Sequence, residues 1–135
     1  MKTVKTIFAS VALVVVISVS AFAGTGSKVV AVINHAKWCP ACQNNGERAM
    51  ACFKENNKDM AIQFVANDVT DDASKAKSAE ELKKVGLDKA MADYKTTGVA
   101  YFFDAESKKL ITQVSVAKSN EELAETMKLA LNEVK

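Results

Sequence analysis

Two cysteines, Cys39 and Cys42, lie two residues apart where the apolar run 29–33 gives way to a segment with a helical pattern. This spacing lets the two sulfurs meet across one helical turn, and it places Cys39 where the unpaired backbone N–H groups of the helix point. Those groups and the positive end of the helix dipole favour a thiolate, and the cysteine pKa at such positions falls from about 8.5 to roughly 3.5–7.5. Pro40 suits the first helical position, since the N–H that it lacks would have no partner there. The pattern predicts a redox pair, with Cys39 as the nucleophile and Cys42 as the resolving thiol.

The same spacing also occurs in one half of many zinc sites. Structural zinc takes four ligands, whereas the sequence offers Cys39 and Cys42, with His35 as a third candidate. The alternative interpretations are therefore a metal- or cluster-binding module that uses this cysteine pair, and a redox-silent binding domain.

Hydrophobic periodicity predicts the elements that hold the cysteines in place. Strand-like, β-branched runs and one long helical pattern are found; the strands are at 28–34, 61–67, 99–103 and 110–116, and the helix is at 40–57. The first strand–helix–strand unit should be parallel and right-handed. The polar segment 104–107 between the last two strands predicts an antiparallel hairpin.

Two further helices are predicted from Ser-x-x-Glu sequences, which satisfy the first N–H groups of a helix. The first begins at Ser78, after a polar loop at 68–77, and ends at Gly86; the second begins at Ser119 and runs towards the end of the chain. Asp88 is expected to cap another short helix, through residues 91–94.

An apolar strand followed by Trp38-Cys39-Pro40-Ala41-Cys42 and a helix resembles the thioredoxin superfamily, and the order of elements extends the resemblance over the whole mature chain. The resemblance implies an α/β, thioredoxin-like fold with a four-stranded mixed sheet and helices on both faces. It also implies a thiol–disulfide oxidoreductase that needs no cofactor. The loop Asn67-Asp68-Val69-Thr70 is most similar to the periplasmic C-terminal domain of Dsb-type transmembrane thiol reductases.

The chain departs from the superfamily at the start of the third strand. Thioredoxins usually carry a cis-proline there, packed against the reactive cysteine, and it presents its backbone to the substrate. Here Gly98-Val99-Ala100-Tyr101 fills that place, with Ala100 at the position of the proline. We expect a trans peptide, because a cis bond without proline costs about 2.5–4 kcal/mol. The resemblance implies that Val99 and Ala100, together with Trp38 and Pro40, contact the substrate.

A second departure concerns the proton of the resolving thiol. Six residues before the reactive cysteine, thioredoxins often bury an aspartate that assists this proton transfer, and this chain has Ile33 instead. The base for Cys42 should then be water or another side chain, which slows the resolving step. His35 lies four residues before Cys39, where an imidazolium would act as a modulator that stabilises the thiolate. The alternative is a packed, neutral ring at the end of the strand.

Cys52 is the third cysteine of the chain. On a shared helix it lies about 80° around and about 15 Å along from Cys42, beyond the Cα separation of about 4.4–6.8 Å that a disulfide tolerates. The two residues cannot pair, and we expect Cys52 to be a half-buried, inert thiol.

Residues 1–23 have the pattern of a secretory signal peptide. Two lysines precede a long apolar run, and Ala21 and Ala23 supply the small residues that a signal peptidase reads. We expect cleavage after Ala23, which leaves a thioredoxin-like domain at 24–135. The alternative is an uncleaved anchor, since 6–27 carries no charge and is about long enough to cross a bilayer.

The composition of the 135 residues, 49% apolar and 25% charged, is typical of one globular domain. The formal charge of +2 falls to 2 − 2 = 0 once 1–23 is removed, because this segment holds two lysines and no acidic residue. The mature domain then has no electrostatic basis for binding nucleic acid or anionic lipid. Export would place its cysteines in an oxidising compartment, where a pair can close.

These features predict a periplasmic thiol–disulfide oxidoreductase without a membrane span after cleavage, or, as the alternative, a membrane-anchored form that faces the periplasm. Reduction is the expected direction, because the Pro40-Ala41 dipeptide is similar to that of reducing members, whereas strongly oxidising members commonly carry His before the second cysteine. We expect no cofactor and no bound metal. The expected partners are protein or small-molecule disulfides as substrates and a membrane thiol as electron donor.

Overall fold

The structure is a computed structural model, and it describes residues 26–135; the predicted signal peptide at 1–23 lies outside these residues. Within them the chain forms four strands and three α-helices, with a short 3-10 helix at Ala90–Asp93. In chain order the elements are β1 (Val29–His35), α1 (Pro40–Glu55), β2 (Ile62–Asp68), α2 (Asp72–Lys84), β3 (Val99–Asp104), β4 (Leu110–Ser115) and α3 (Asn120–Glu133). No helix in the described part of the chain is both long and apolar enough to span a membrane.

The strands form one mixed sheet in the order β2-β1-β3-β4. The central strand β1 pairs in parallel with β2, from Val29 opposite Ile62 to His35 opposite Asp68. On its other side β1 pairs antiparallel with β3, and β3 pairs antiparallel with β4. The predicted parallel unit and the predicted hairpin are both confirmed.

Both faces of the sheet are buried, which explains why β1 is apolar at almost every position. On one face α1 and α3 cover a core in which the ring of Phe53 stacks on Phe64 with 5.2 Å between centroids. On the other face α2 and the 3-10 helix cover a second core around Tyr101 and Phe103. Burying an aromatic side chain of this kind contributes about 1.5–3 kcal/mol. The fold is therefore the predicted four-stranded mixed sheet with helices on both faces.

The segment predicted as a loop at 68–77 is largely helical, so this prediction is wrong. Helix α2 begins six residues earlier than expected, because the side chain of Asp71 caps it by accepting from the N–H of Ser74 at 2.8 Å. Ser78 is buried inside the helix and does not cap it; its hydroxyl accepts from the N–H of Asp68 at 2.9 Å. The helix is thereby tied to the end of β2. Gly86, with φ of 71°, follows the helix end as predicted.

Two further helix caps were predicted; the one at Ser119 is confirmed and the one at Asp88 is wrong. At α3 the Ser119 side chain accepts from the N–H of Glu122 while the Glu122 carboxylate accepts from the N–H of Ser119, which is the predicted capping box. Asp88 does not cap the short 3-10 helix. That helix follows Lys89 without a capping side-chain hydrogen bond, and it is held by the buried side chain of Met91.

Candidate active site

The two cysteines of the predicted redox pair lie at the start of α1, directly after β1 and a short turn. Cys39 is the N-cap residue in an extended conformation, with φ of −81° and ψ of 114°, and Pro40 opens the helix. The Sγ of Cys39 accepts from the backbone N–H of Cys42 at 3.3 Å. The first turn of α1 contains no acidic residue, so no carboxylate opposes a negative charge on this sulfur.

The structure shows the pair in its disulfide form. Cys39 and Cys42 are bonded, with 5.3 Å between their Cα atoms, well inside the range that a disulfide tolerates. Cys39 is only 2% exposed, whereas Cys42 is half-buried. Access to the Cys39 sulfur therefore depends on the residues that cover it.

Trp38, next to the pair, is 59% exposed, and its ring is held by the loop that follows β2. The indole N–H of Trp38 donates to the carbonyl oxygen of Thr70 at 3.2 Å, and the backbone N–H of Lys37 donates to the Thr70 hydroxyl oxygen at 3.0 Å. Thr70 in turn donates from its N–H and its hydroxyl to the Asp68 carboxylate. The loop 68–70 thus fixes the turn that carries Trp38 and Cys39.

The hydrogen bonds from the Thr70 hydroxyl and N–H hold the pKa of Asp68 below its usual range. A carboxylate with a lowered folded-state pKa contributes stability that is present above its unfolded pKa, about 3.9, and is lost as pH falls through the folded value. We expect the free energy of unfolding to differ more between wild type and Asp68→Asn at pH 7 than at pH 3. Trp38 is the single tryptophan of the chain, so its fluorescence should change in this variant at pH 7, and chemical unfolding at the two pH values measures the stability.

Asp104 supplies a matched control for this prediction. Its carboxylate accepts from the N–H groups of Ser107 and Glu106, which lower the Asp104 pKa in the β3–β4 turn. Asp104→Asn should also lose stability in a pH-dependent way, but with unchanged Trp38 fluorescence. If Asp68→Asn leaves the Trp38 spectrum as in wild type, the loop 68–70 does not hold the turn.

Gly98, the residue just before β3, lies against the Cys39 sulfur. A Cβ atom on Gly98 would lie 3.4 Å from Cys39 Sγ and 3.0 Å from the Ala41 Cβ. Ala100 is fully buried inside β3, where it pairs with Ile33 on one side and Val114 on the other. The contact of Ala100 with a substrate stays a prediction. Val99 is half-buried at the start of β3, and no peptide bond in residues 26–135 is cis, as expected.

Asn34 is a residue of this site that the sequence analysis did not single out. It is 1% exposed near the end of β1, and its amide donates to the carbonyl oxygens of Tyr94 at 2.8 Å and Thr96 at 3.3 Å. Its side-chain oxygen accepts from the Asn67 amide at 2.8 Å, and its carbonyl oxygen accepts from the N–H of Gly98 at 2.7 Å. Asn34 thus positions the segment that brings Gly98 to the sulfur. In the sequence, the signal for this role is that Asn34 is a single amide side chain next to an apolar strand run.

Arg48 holds the residues after β4, which pair with Gly98 on its other side. Its guanidinium, on α1, donates to the carbonyl oxygens of Val116 at 2.8 Å and Lys118 at 2.9 Å. The N–H of Val116 donates in turn to the carbonyl oxygen of Gly98 at 2.9 Å. Both backbone polar groups of Gly98 are therefore engaged within the protein.

His35 lies at the end of β1, half-buried and opposite Asp68. It lines a cavity of about 480 Å³, whose wall also includes Cys42, Met50 and Phe64. His35 and the second cysteine of the pair thus line the same cavity. Ile33, at the position where thioredoxins often bury an aspartate, lines the same cavity with an apolar side chain.

Cys52 is not paired, as predicted, and it is more deeply buried than expected, with 5% of its surface exposed. Its Sγ lies 3.5 Å from the Asn120 carbonyl oxygen and 3.6 Å from the Asn56 amide nitrogen. Burial raises the pKa of this thiol, which keeps it protonated and unreactive near neutral pH. Within residues 26–135 no three His, Cys, Asp or Glu side chains gather as metal ligands would.

Neither a protein-family model nor a curated protein sequence matches the chain significantly. Several solved structures are similar to it. The thioredoxin of Fasciola hepatica is 18% identical over 81% of this chain and 83% of that one, with a TM-score of 0.48. A secreted disulfide oxidoreductase of Mycobacterium tuberculosis, homologous to E. coli DsbE, is 17% identical over 79% of this chain and 82% of that one, also at 0.48. Trxlp of Edwardsiella tarda is 13% identical over 75% of this chain and 82% of that one, with a TM-score of 0.49.

The chain has a thioredoxin-like fold. Its four-stranded mixed sheet with helices on both faces is the one that the resemblance in the sequence implied. In this thioredoxin-like chain the cysteine pair lies at the carboxyl end of the central strand β1, where α1 begins.

Proposed function

We propose that this protein is a thiol–disulfide oxidoreductase that reduces disulfides, with Cys39 as nucleophile and Cys42 as resolving thiol. The observation that carries the proposal is the position of Cys39 as N-cap of α1, bonded to a cysteine one turn inside the same helix. A structural disulfide is usually formed between distant parts of a chain, where it closes a long loop. A bond that closes only one helical turn gives little of that stabilisation, so its role is in redox chemistry.

Cys39 is the nucleophile because its sulfur is the one at the positive end of the helix. In the reduced protein the N–H of Cys42, which donates to this sulfur at 3.3 Å, would stabilise the thiolate. The helix dipole acts in the same direction. Cys42 lies inside the helix, where it does not receive this stabilisation.

Reduction of a substrate proceeds in two exchanges. The Cys39 thiolate attacks one sulfur of the substrate disulfide, and the other substrate sulfur leaves with the electron pair. Cys42 then loses its proton and attacks Cys39 Sγ, which releases the first substrate sulfur and forms the Cys39–Cys42 disulfide. Two electrons pass from the cysteine pair to the substrate. A membrane thiol that donates electrons would restore the reduced pair.

Trp38 and Pro40 form the exposed rim of this site, since both side chains border the disulfide and face solvent. An exposed indole held in place by Thr70 supplies a rigid, amphipathic surface on which an extended peptide can lie. Val99 adds a half-buried apolar contact at the start of β3. The proposed substrates are therefore protein disulfides, with small-molecule disulfides as the alternative.

We place this activity in the periplasm because the pattern of residues 1–23 is that of a cleaved signal peptide. The reducing direction is supported by the Pro40-Ala41 dipeptide, which puts no second positive charge beside the Cys39 thiolate. A thiolate stabilised less strongly makes the reduced form a better electron donor.

The test is the reduction of a peptide disulfide by the reduced protein with its first 23 residues removed. One equivalent of protein should reduce one equivalent of disulfide in a single turnover, and mass spectrometry should find the Cys39–Cys42 disulfide in the product. A protein that reduces no disulfide, but binds zinc tightly through Cys39 and Cys42, would establish the metal-binding alternative instead.

A further inference from the structure

The cavity of about 480 Å³ beside Cys42 holds few groups that can accept a proton. Its wall is mostly apolar and is built from β1, β2 and α1, with Glu81 of α2 and Val116 after β4. Among the residues that line it, the titratable ones are His35, Cys42 and Glu81. Ile33, at the place where thioredoxins often bury a base, contributes only a hydrocarbon side chain.

Of the two candidate bases, Glu81 is already engaged. Its carboxylate accepts from the ammonium group of Lys84 at 2.7 Å, on the solvent side of α2. The imidazole of His35 makes no hydrogen bond to any residue of 26–135, so its basic nitrogen is available to the cavity. A cavity of this size has room for water molecules that connect the imidazole to the Cys42 thiol.

Charged groups of both signs lie around His35. Asp68, directly opposite on β2, interacts electrostatically with His35, and its carboxylate is ionised because Thr70 lowers its pKa. The charge of Glu81 on α2 is offset by its ion pair with Lys84, and Lys37 lies in the turn before Cys39. Asp68 is therefore the carboxylate that the strand register places next to His35.

We propose that His35 accepts the proton of Cys42 during the resolving step. The inference rests on the proposed function, and it deepens it by assigning the base for the second thiol. The S–H bond of Cys42 breaks and its proton passes to the imidazole; the Cys42 sulfur then attacks Cys39 Sγ. The bond between Cys39 and the substrate sulfur breaks, and the substrate thiolate leaves with the electron pair. It regains a proton from the imidazolium or from water, so atoms and charges balance.

This assignment differs from the expectation that His35 modulates the Cys39 thiolate, and the two can be separated kinetically. The reduced protein, in a Cys52→Ala background, is mixed in stopped flow with the aromatic disulfide DTNB. Attack by Cys39 releases one coloured thiolate, and attack by Cys42 on the mixed disulfide releases the second. For His35→Gln at pH 7, the second phase should slow at least about 10-fold, since general bases contribute about 10²–10⁴-fold. The first phase should stay within twofold of wild type.

Two further variants distinguish proton transfer from a structural effect. Glu81→Gln changes the other titratable group at the cavity and should leave both phases as in wild type. His35→Ala should regain the rate of the second phase when free imidazole is added, because the shortened side chain leaves space in the cavity. The pH dependence of the second phase should also flatten in His35→Gln.

Several outcomes would overturn the inference. One is a second phase in His35→Gln that is as fast as in wild type. Another is equal slowing of both phases, which would show that His35 acts on the Cys39 thiolate. Slowing that imidazole does not reverse and that is the same at every pH would show a packing role. If wild type and His35→Gln both release the second thiolate at the same rate, only this inference fails. If the wild type never releases the second thiolate, the proposed function fails as well.

Discussion

Replacing Cys39 with serine should reduce disulfide reduction to the background of a protein without thiols. The hydroxyl of serine does not ionise at neutral pH, so the helix end that stabilises a thiolate at Cys39 would have no anion to stabilise. The measurement is the rate of peptide disulfide reduction by the reduced variant, compared with wild type under the same conditions.

Cys42→Ser is the matched control, because it removes the other half of the pair and keeps the nucleophile. This variant should attack the substrate once and then stop as a mixed disulfide between Cys39 and the substrate, visible as an added mass on the intact protein. Cys52→Ser should leave the rate unchanged, since that thiol is buried near the other end of α1 from the pair. Trapping through Cys42 in a Cys39→Ser variant would reverse the assigned roles.

Substitution of Gly98 by alanine should both destabilise the protein and slow the reaction of Cys39. Gly98 has φ of 74°, which costs an L-residue about 1–2 kcal/mol. Its new Cβ would meet the Ala41 Cβ at 3.0 Å and Cys39 Sγ at 3.4 Å, and such crowding costs a further about 1–3 kcal/mol. Chemical unfolding measures the stability, and alkylation of the reduced protein measures the rate at Cys39.

Gly86 allows the two effects at Gly98 to be separated. Its φ of 71° is nearly the same, but a Cβ there would meet only the flexible end of the Lys108 side chain, at 3.1 Å. Gly86→Ala should therefore cost about 1–2 kcal/mol and leave the reactivity of Cys39 intact. Equal losses in Gly86→Ala and Gly98→Ala, with wild-type alkylation rates in both, would show that the contact between Gly98 and Cys39 has no effect on the sulfur.

Most of the fold was predictable because the apolar pattern of this chain is strong. The central strand, buried on both faces, appears in the sequence as an unbroken β-branched run, and the capping box at Ser119 specifies a helix start without help from tertiary contacts. The cysteine pair was also predictable, since its spacing and Pro40 define the helix end locally. In each of these cases the information lies within a few neighbouring residues.

The errors arise where contacts between distant segments decide the structure. Ser78 and Glu81 have the sequence of a capping box, but the hydroxyl of Ser78 accepts from the backbone N–H of Asp68, and Asp71 caps the helix about two turns earlier. Packing of α2 against β2 favours the earlier start.

The contact between Gly98 and the Cys39 sulfur was not predicted, for a related reason. Without a proline in this segment, nothing in the sequence marks which residue meets the reactive cysteine. The side chain of Asn34 sets that position by binding the carbonyl oxygens of Tyr94 and Thr96, about sixty residues away in the chain. As a result Gly98, two residues before Ala100, lies against the sulfur.

The reduction potential of the Cys39–Cys42 pair tests the central claim most directly. Oxidised and reduced protein are equilibrated in glutathione buffers of known ratio, free thiols are trapped with a maleimide, and the two forms are counted by intact mass. A reductase of this design should show a reversible two-electron couple near about −270 mV, the value of thioredoxin. A value near about −120 mV, as for a strong oxidant, would contradict the reducing direction. A pair that stays in one form across all buffers would contradict the oxidoreductase itself.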